Sequence, residues 1–149
     1  MKKSSVLTGI LAAGAMVLLP GAQAADPAGE DVIEYRQRIM EAMNAQAVIL
    51  GQIVSYAIPN DNLVAHLDTM ALLASTALKS YEPKVQGGGA KPEVWTNWDD
   101  FSKRMQTFAE KTAEAAKISH TVDPEAALTN MLDVLDCKSC HDVYRTEKR

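Results

Sequence analysis

The pentapeptide Cys137-Lys138-Ser139-Cys140-His141 is the densest concentration of reactive side chains in the chain. Cysteines three apart on a helix put both thiols on one face, one turn apart. A histidine directly after the second can turn its ring back over that face. This is the C-x-x-C-H attachment pattern for a c-type haem. The thiols would add to the two porphyrin vinyl groups, fixing one haem c through two thioethers, with His141 as the proximal iron ligand. Other chemistries use the same residues less completely. A zinc site needs four ligands, and the remaining histidines are His66 and His120, with no second cysteine pair. A thioredoxin-like pair belongs in a βαβ setting. A local disulfide leaves His141 unexplained and closes a loop too small to gain much entropically.

The elements that must position these residues read as helices. From Asp31 to Ala57 the apolar positions Val32, Tyr35, Ile39, Met43, Ala47, Leu50 and Ile53 recur at three and four residues. That is one stripe of a helix about 40 Å long at ~1.5 Å per residue. Pro59-Asn60-Asp61-Asn62 breaks it and offers N-cap side chains. A second stripe runs Leu63, Leu67, Met70, Ala74, Leu78, ending near Tyr81. The stretch from Glu82 to Pro92, with Pro83 and Gly87-Gly88-Gly89, predicts a loop. Thr96 with Asp99 resembles a capping box ahead of a third stripe, Trp98, Phe101, Met105, Phe108, Ala113 and Ala116, interrupted by Thr112. Asp123-Pro124 pairs a capping side chain with a proline at the first helical position. It opens a fourth stripe, Leu128, Met131 and Leu135, continuing towards Tyr144. No stretch alternates with period two over enough residues to make a strand. The expectation is an all-α chain, an antiparallel up-down-up-down four-helix bundle with a covalently attached haem.

Lys2 and Lys3, the apolar run Val6–Leu19 and the ending Ala22-Gln23-Ala24 have the pattern of a secretory signal cleaved after Ala24. The run is shorter than the ~20 apolar residues that cross a bilayer, so no stable membrane anchor is expected. Residues 1–24 would then be the signal and 25–149 the folded domain, exported to the periplasm. Cleavage removes two lysines and no acids, taking the net charge from −4 to −6. An acidic chain with so few cations assembles no basic face for nucleic acid.

With the attachment motif on its last helix, the chain resembles the class II cytochromes c, the family of cytochrome c′ and its low-spin, methionine-ligated relatives. The resemblance rests on Tyr35-Arg36-Gln37 with Met40, on Gly88-Gly89-Ala90-Lys91-Pro92-Glu93-Val94-Trp95, and on Cys137-Lys138-Ser139-Cys140-His141-Asp142-Val143-Tyr144-Arg145. It implies a haem inside the bundle near one end, fixed to the fourth helix. Arg36 and Gln37 would lie beside it, Arg36 as a partner for a propionate, and Arg145 on the proximal side. For both arginines the plainer alternative is a solvated helix face. The resemblance also implies that a homodimer through the first two helices can form.

In the family the residue four places after Arg36, here Met40, faces the distal side of the iron. Where a methionine there binds the iron, the metal is six-coordinate with a raised potential suited to electron transfer. Where the distal residue stands off, the iron is five-coordinate and an apolar pocket admits small gases. Met40 also reads as a gap-filling core methionine beside Ile39, as does Met43 one turn on. The expectation is a periplasmic c-type cytochrome carrying single electrons, its iron bound by His141 and Met40. The alternative is a five-coordinate cytochrome c′ binding NO or CO. No distal histidine or acid is placed to activate oxygen or peroxide, and His66 and His120 read as surface residues, so an enzymatic role is not expected. Periplasmic redox partner proteins with a basic patch would be steered towards the acidic chain. Lys138, Arg145, Lys148 and Arg149 gather near the expected haem and offset the negative pole of the last helix.

Overall fold

Val32, Ile39, Met43, Leu50 and Ile53 are buried along one face of α1 (Gly29–Val54). The face is phased differently from the apolar spacing in one respect. Tyr35 is 53 % exposed, while Arg36 takes the inward position at 2 %. These facts come from a computed structural model that describes residues 29–121 and 123–147. Residues 1–24, read as a signal peptide, lie outside the described residues, as do Lys148 and Arg149.

Helix α1 ends where Ala57 N–H donates to the Gln52 carbonyl and Tyr56 N–H to that of Ile53. Tyr56 turns the chain at φ 55°, a left-handed conformation in which helices often finish. Helix α2 (Leu63–Ala77) buries Leu63, Leu67, Met70, Ala74 and Ala77 and runs into a 3-10 turn, Leu78–Tyr81. Asn62 precedes α2 without a side-chain capping bond.

A one-turn helix, α3 (Glu93–Thr96), precedes α4 (Trp98–Thr121). It corrects the capping expectation. Thr96 closes α3, and it is the carbonyl of Asn97 that accepts the first α4 bond, from Phe101 N–H. Along α4 the buried positions are Phe101, Met105, Thr112, Ala115, Ala116 and Ser119. Ala113, expected in the stripe, faces solvent. Thr112 is tolerated inside because its hydroxyl donates to the Ala109 carbonyl at 3.0 Å.

Asp123 caps α5 (Pro124–Val134) as its sequence implies, accepting from Glu125 N–H at 2.9 Å. The fourth stripe then breaks. Leu135 leaves the helical region at ψ 38°, and α6 (Cys137–Tyr144) begins afresh. Among the described residues there is no β-strand. α2 packs against both α1 and α4, α4 against α5. The four arms of the bundle are α1, α2, α4 and α5–α6. Leu50, Leu67, Met70 and Met131 are fully buried where these arms meet, each contributing ~1.5–3 kcal/mol by leaving water.

Candidate functional site

The break before α6 decides where the reactive residues start. Asp136 caps α6, its carboxylate accepting from Ser139 N–H at 3.3 Å while Ser139 Oγ donates to the Asp136 carbonyl at 3.1 Å. An aspartate at the N-cap satisfies a main-chain donor that the first turn would otherwise leave open. Cys137 therefore opens the helix and Cys140 and His141 follow within its first turn and a half. Both cysteines are free thiols, Cys137 exposed and Cys140 half-buried against the core. Lys138 pairs with Asp142 on the outer face. It stands in the first turn of α6, not at the negative pole assigned to it from the sequence.

The thiols and the imidazole edge a cavity of about 1110 Å³ between α1, α4 and α6. Met40 and Met43 wall it on α1, Phe101, Met105 and Phe108 on α4, and Val134 and Leu135 at the end of α5. Arg36 and Gln37 reach the same cavity, so the structure brings together every residue singled out for the site. His66 and His120 lie elsewhere, His66 Nδ1 2.9 Å from Gln46 Oε1 and His120 Nε2 2.9 Å from Asp68 Oδ1.

Arg36 is not on a solvated face. Its Nη1 donates to the Val85 carbonyl at 2.6 Å and Nη2 to that of Gly87 at 3.3 Å. Its guanidinium carbon lies 5.2 Å from the Tyr81 ring centroid and 5.3 Å from that of Trp95. Burial lowers its pKa from the ordinary value. Gln37 is exposed, its Nε2 donating to the Gly88 carbonyl at 3.2 Å.

Tyr144, one turn after His141, is buried and sits edge-on to Phe101 at 5.1 Å between centroids. Its hydroxyl donates to Asp100 Oδ2 and accepts from Asn97 Nδ2 at 3.1 Å. Asp100 also accepts from Arg104 Nε at 2.6 Å. Burial, then the bond to Asp100, push the Tyr144 hydroxyl up to about 12. The Arg104 and Tyr144 bonds hold the Asp100 carboxyl below its usual range. Burial, then the charge of Arg145, lower the His141 imidazole pKa, and burial raises that of the Cys140 thiol. Asp100 and Asp136 carry no site role in the sequence analysis, and Tyr144 enters it only as the end of an apolar stripe and part of the stretch around the motif. Asp136 alone carried a local signal, a capping residue directly before the motif.

Among the described residues no group of three or more His, Cys, Asp or Glu side chains could hold a bare metal ion. Two thiols and one imidazole on a single helix suit a group that brings its own chelating ring. The cavity is slightly larger than the ~300–1,000 Å³ typical of ligand sites, and apolar side chains of α1, α4 and the end of α5 line it. The residues present fit a haem.

A family model described as Cytochrome C' matches residues 31–145. The chain is 26 % identical over 122 residues to a cytochrome c' of Alcaligenes xylosoxydans xylosoxydans, covering 80 % of this chain and 96 % of the relative. It is 26 % identical over 152 residues to a cytochrome c-556 of Agrobacterium fabrum, covering 97 % and 94 %. Its fold superposes on a ferrous cytochrome c prime variant from Alcaligenes xylosoxidans, solved with bound NO, at a TM-score of 0.69 and 25 % identity, over 80 % of this chain and 97 % of that one.

Proposed function

The chain belongs to the cytochrome c′ family of class II cytochromes c, and from that premise we propose that it is a periplasmic haem protein binding small neutral gases, NO and CO, on the side of the iron facing Met40. When bound, the haem supplies an iron centre able to coordinate a diatomic ligand and to change oxidation state. Cys137 and Cys140 would hold it through thioethers, and His141 would supply a nitrogen ligand to its iron. The observation that carries the reading is the apolar wall of Met40, Met43, Phe101 and Met105 within one cavity shared with His141. A neutral diatomic enters such a wall at little cost, whereas an anion must surrender its hydration. The relative solved with NO supports the same reading.

A second reading has its own support. Met40 lines the cavity from α1 while His141 edges it from α6. A thioether is a soft ligand on a flexible stem, so Met40 could close the sixth position and make the chain a single-electron carrier. The cytochrome c-556 relative is compatible with either reading. The sequence expectation favours this electron carrier, whereas the cytochrome c' relatives favour the gas-binding reading.

Met40→Ala separates the two. For a gas-binding site, the oxidised wild type lacks a far-red sulfur-to-iron band, and the variant keeps the same spin state with a changed rate of NO binding. A far-red band present in the wild type and lost in the variant establishes the carrier instead.

A further inference from the structure

The buried cation of Arg36 has no carboxylate partner among the described residues. An isolated charge this deep is costly unless other groups replace its hydration. Here two ring faces and two main-chain carbonyls do so. Those carbonyls, with that of Gly88 bound by Gln37, belong to one glycine loop. The loop is shaped to lie flat on α1. Gly87, Gly88 and Gly89 all have positive φ, and a Cβ on Gly88 would stand 2.5 Å from Ile33 Cγ2.

The opposite edge of the loop is tied to the end of α6. Thr146 N–H donates to the Gly89 carbonyl at 2.9 Å, and Lys91 N–H to the Tyr144 carbonyl at 2.9 Å. Lys91 Nζ adds a bond to the Asp142 carbonyl at 3.0 Å. Gly88, Gly89 and Thr146 line the same cavity as Met40 and His141. The loop thus straps α1 to α6 across the cavity edge.

We propose that Arg36 is a positioning residue: by latching this loop to α1, it sets the spacing between the helix that carries Met40 and the helix that carries His141. The inference rests on the haem reading above for its consequence at the iron, but the latch itself does not depend on it. It also goes beyond a propionate partner, because the latch acts on the chain's own loop. Lysine keeps the charge but has neither the planar fork for two carbonyls nor the flat surface for two rings.

The test uses haem-loaded Arg36→Lys and Gly88→Ala, the second pushing the loop off α1 with Arg36 intact. Amide hydrogen exchange is followed at Lys91 and Thr146, and carbon monoxide association is measured by flash photolysis. Both variants should speed exchange at both amides about tenfold or more, the effect expected when an anchoring charge-assisted bond is lost. Both should shift the association rate in the same direction. Gln37→Leu, which removes one latch bond without straining the backbone, serves if Gly88→Ala does not fold, and should give a smaller change of the same sign. If Arg36→Lys exchanges and binds like the wild type, or if Arg36→Lys alone alters carbon monoxide binding while the loop variant does not, the latch is overturned. Failure of the haem reading looks different. A wild type that binds no carbon monoxide rejects gas binding, while exchange at Lys91 and Thr146 still tests the latch, with the Soret position as its second readout.

Discussion

Arg36 and Tyr35 exchange the places that hydropathy assigns them. The apolar spacing selects Tyr35, yet it is the arginine that points inward. Nothing local announces this, because its carbonyl partners lie 49 and 51 residues away. The Cys137-Lys138-Ser139-Cys140-His141 run was legible for the opposite reason: its chemistry is set by spacing on one helical turn. Two predictions belong to single side chains. Either cysteine changed alone to serine should leave the haem attached through one thioether, retained on a denaturing gel with a shifted haemochrome spectrum. Changing both should let acid-acetone extract it. Tyr144 carries a pH signature. Its hydroxyl is raised from 10.0 to about 12, so the folded state holds that proton more tightly than the unfolded chain. The stability it lends is complete below pH ~10 and is lost as the pH rises towards ~12. Tyr144→Phe should remove this component from alkaline unfolding followed by circular dichroism; an unchanged profile would show that the bond to Asp100 contributes nothing.

The helices were readable wherever a cap or an apolar period announced them. Asp123-Pro124 marks the start of α5, and Asp123 caps it. The restart at Cys137 is hidden in the sequence, because Leu135 and Tyr144 continue the apolar spacing across the break. Asp136, which caps the new helix, is a single capping residue beside a far more conspicuous motif. Asp136→Ala should cost about 0.5–2 kcal/mol, the usual value of an N-cap, and disturb haem attachment more than Asp123→Ala does. The end of α1 gives a change in the other direction. Tyr56 holds a left-handed backbone with 91 % of its surface exposed. Tyr56→Gly relieves that strain while giving up little packing, and should stabilise the protein by about 1 kcal/mol in thermal unfolding.

For the molecule as a whole, the bundle is built around a space its own side chains do not fill. Without haem the apolar side chains of Met40, Met43, Phe101 and Met105 border a cavity of about 1110 Å³ that is open to solvent, and apolar surface left in water forfeits roughly 25 cal/mol per Å². The haem-free chain is therefore expected to loosen around α6. The Cys137→Ser, Cys140→Ser double variant, freed of haem, should keep much of its far-ultraviolet helical signal, lose its near-ultraviolet signal and bind a hydrophobic dye. A sharp two-state transition equal to that of the holoprotein would contradict this. The most direct measurement is the absorption spectrum of the dithionite-reduced holoprotein before and after carbon monoxide. A broad high-spin spectrum that sharpens on adding the gas is the predicted result. A split low-spin spectrum indifferent to carbon monoxide would contradict the open sixth position, and no haem absorbance from cells able to attach it would contradict the site itself.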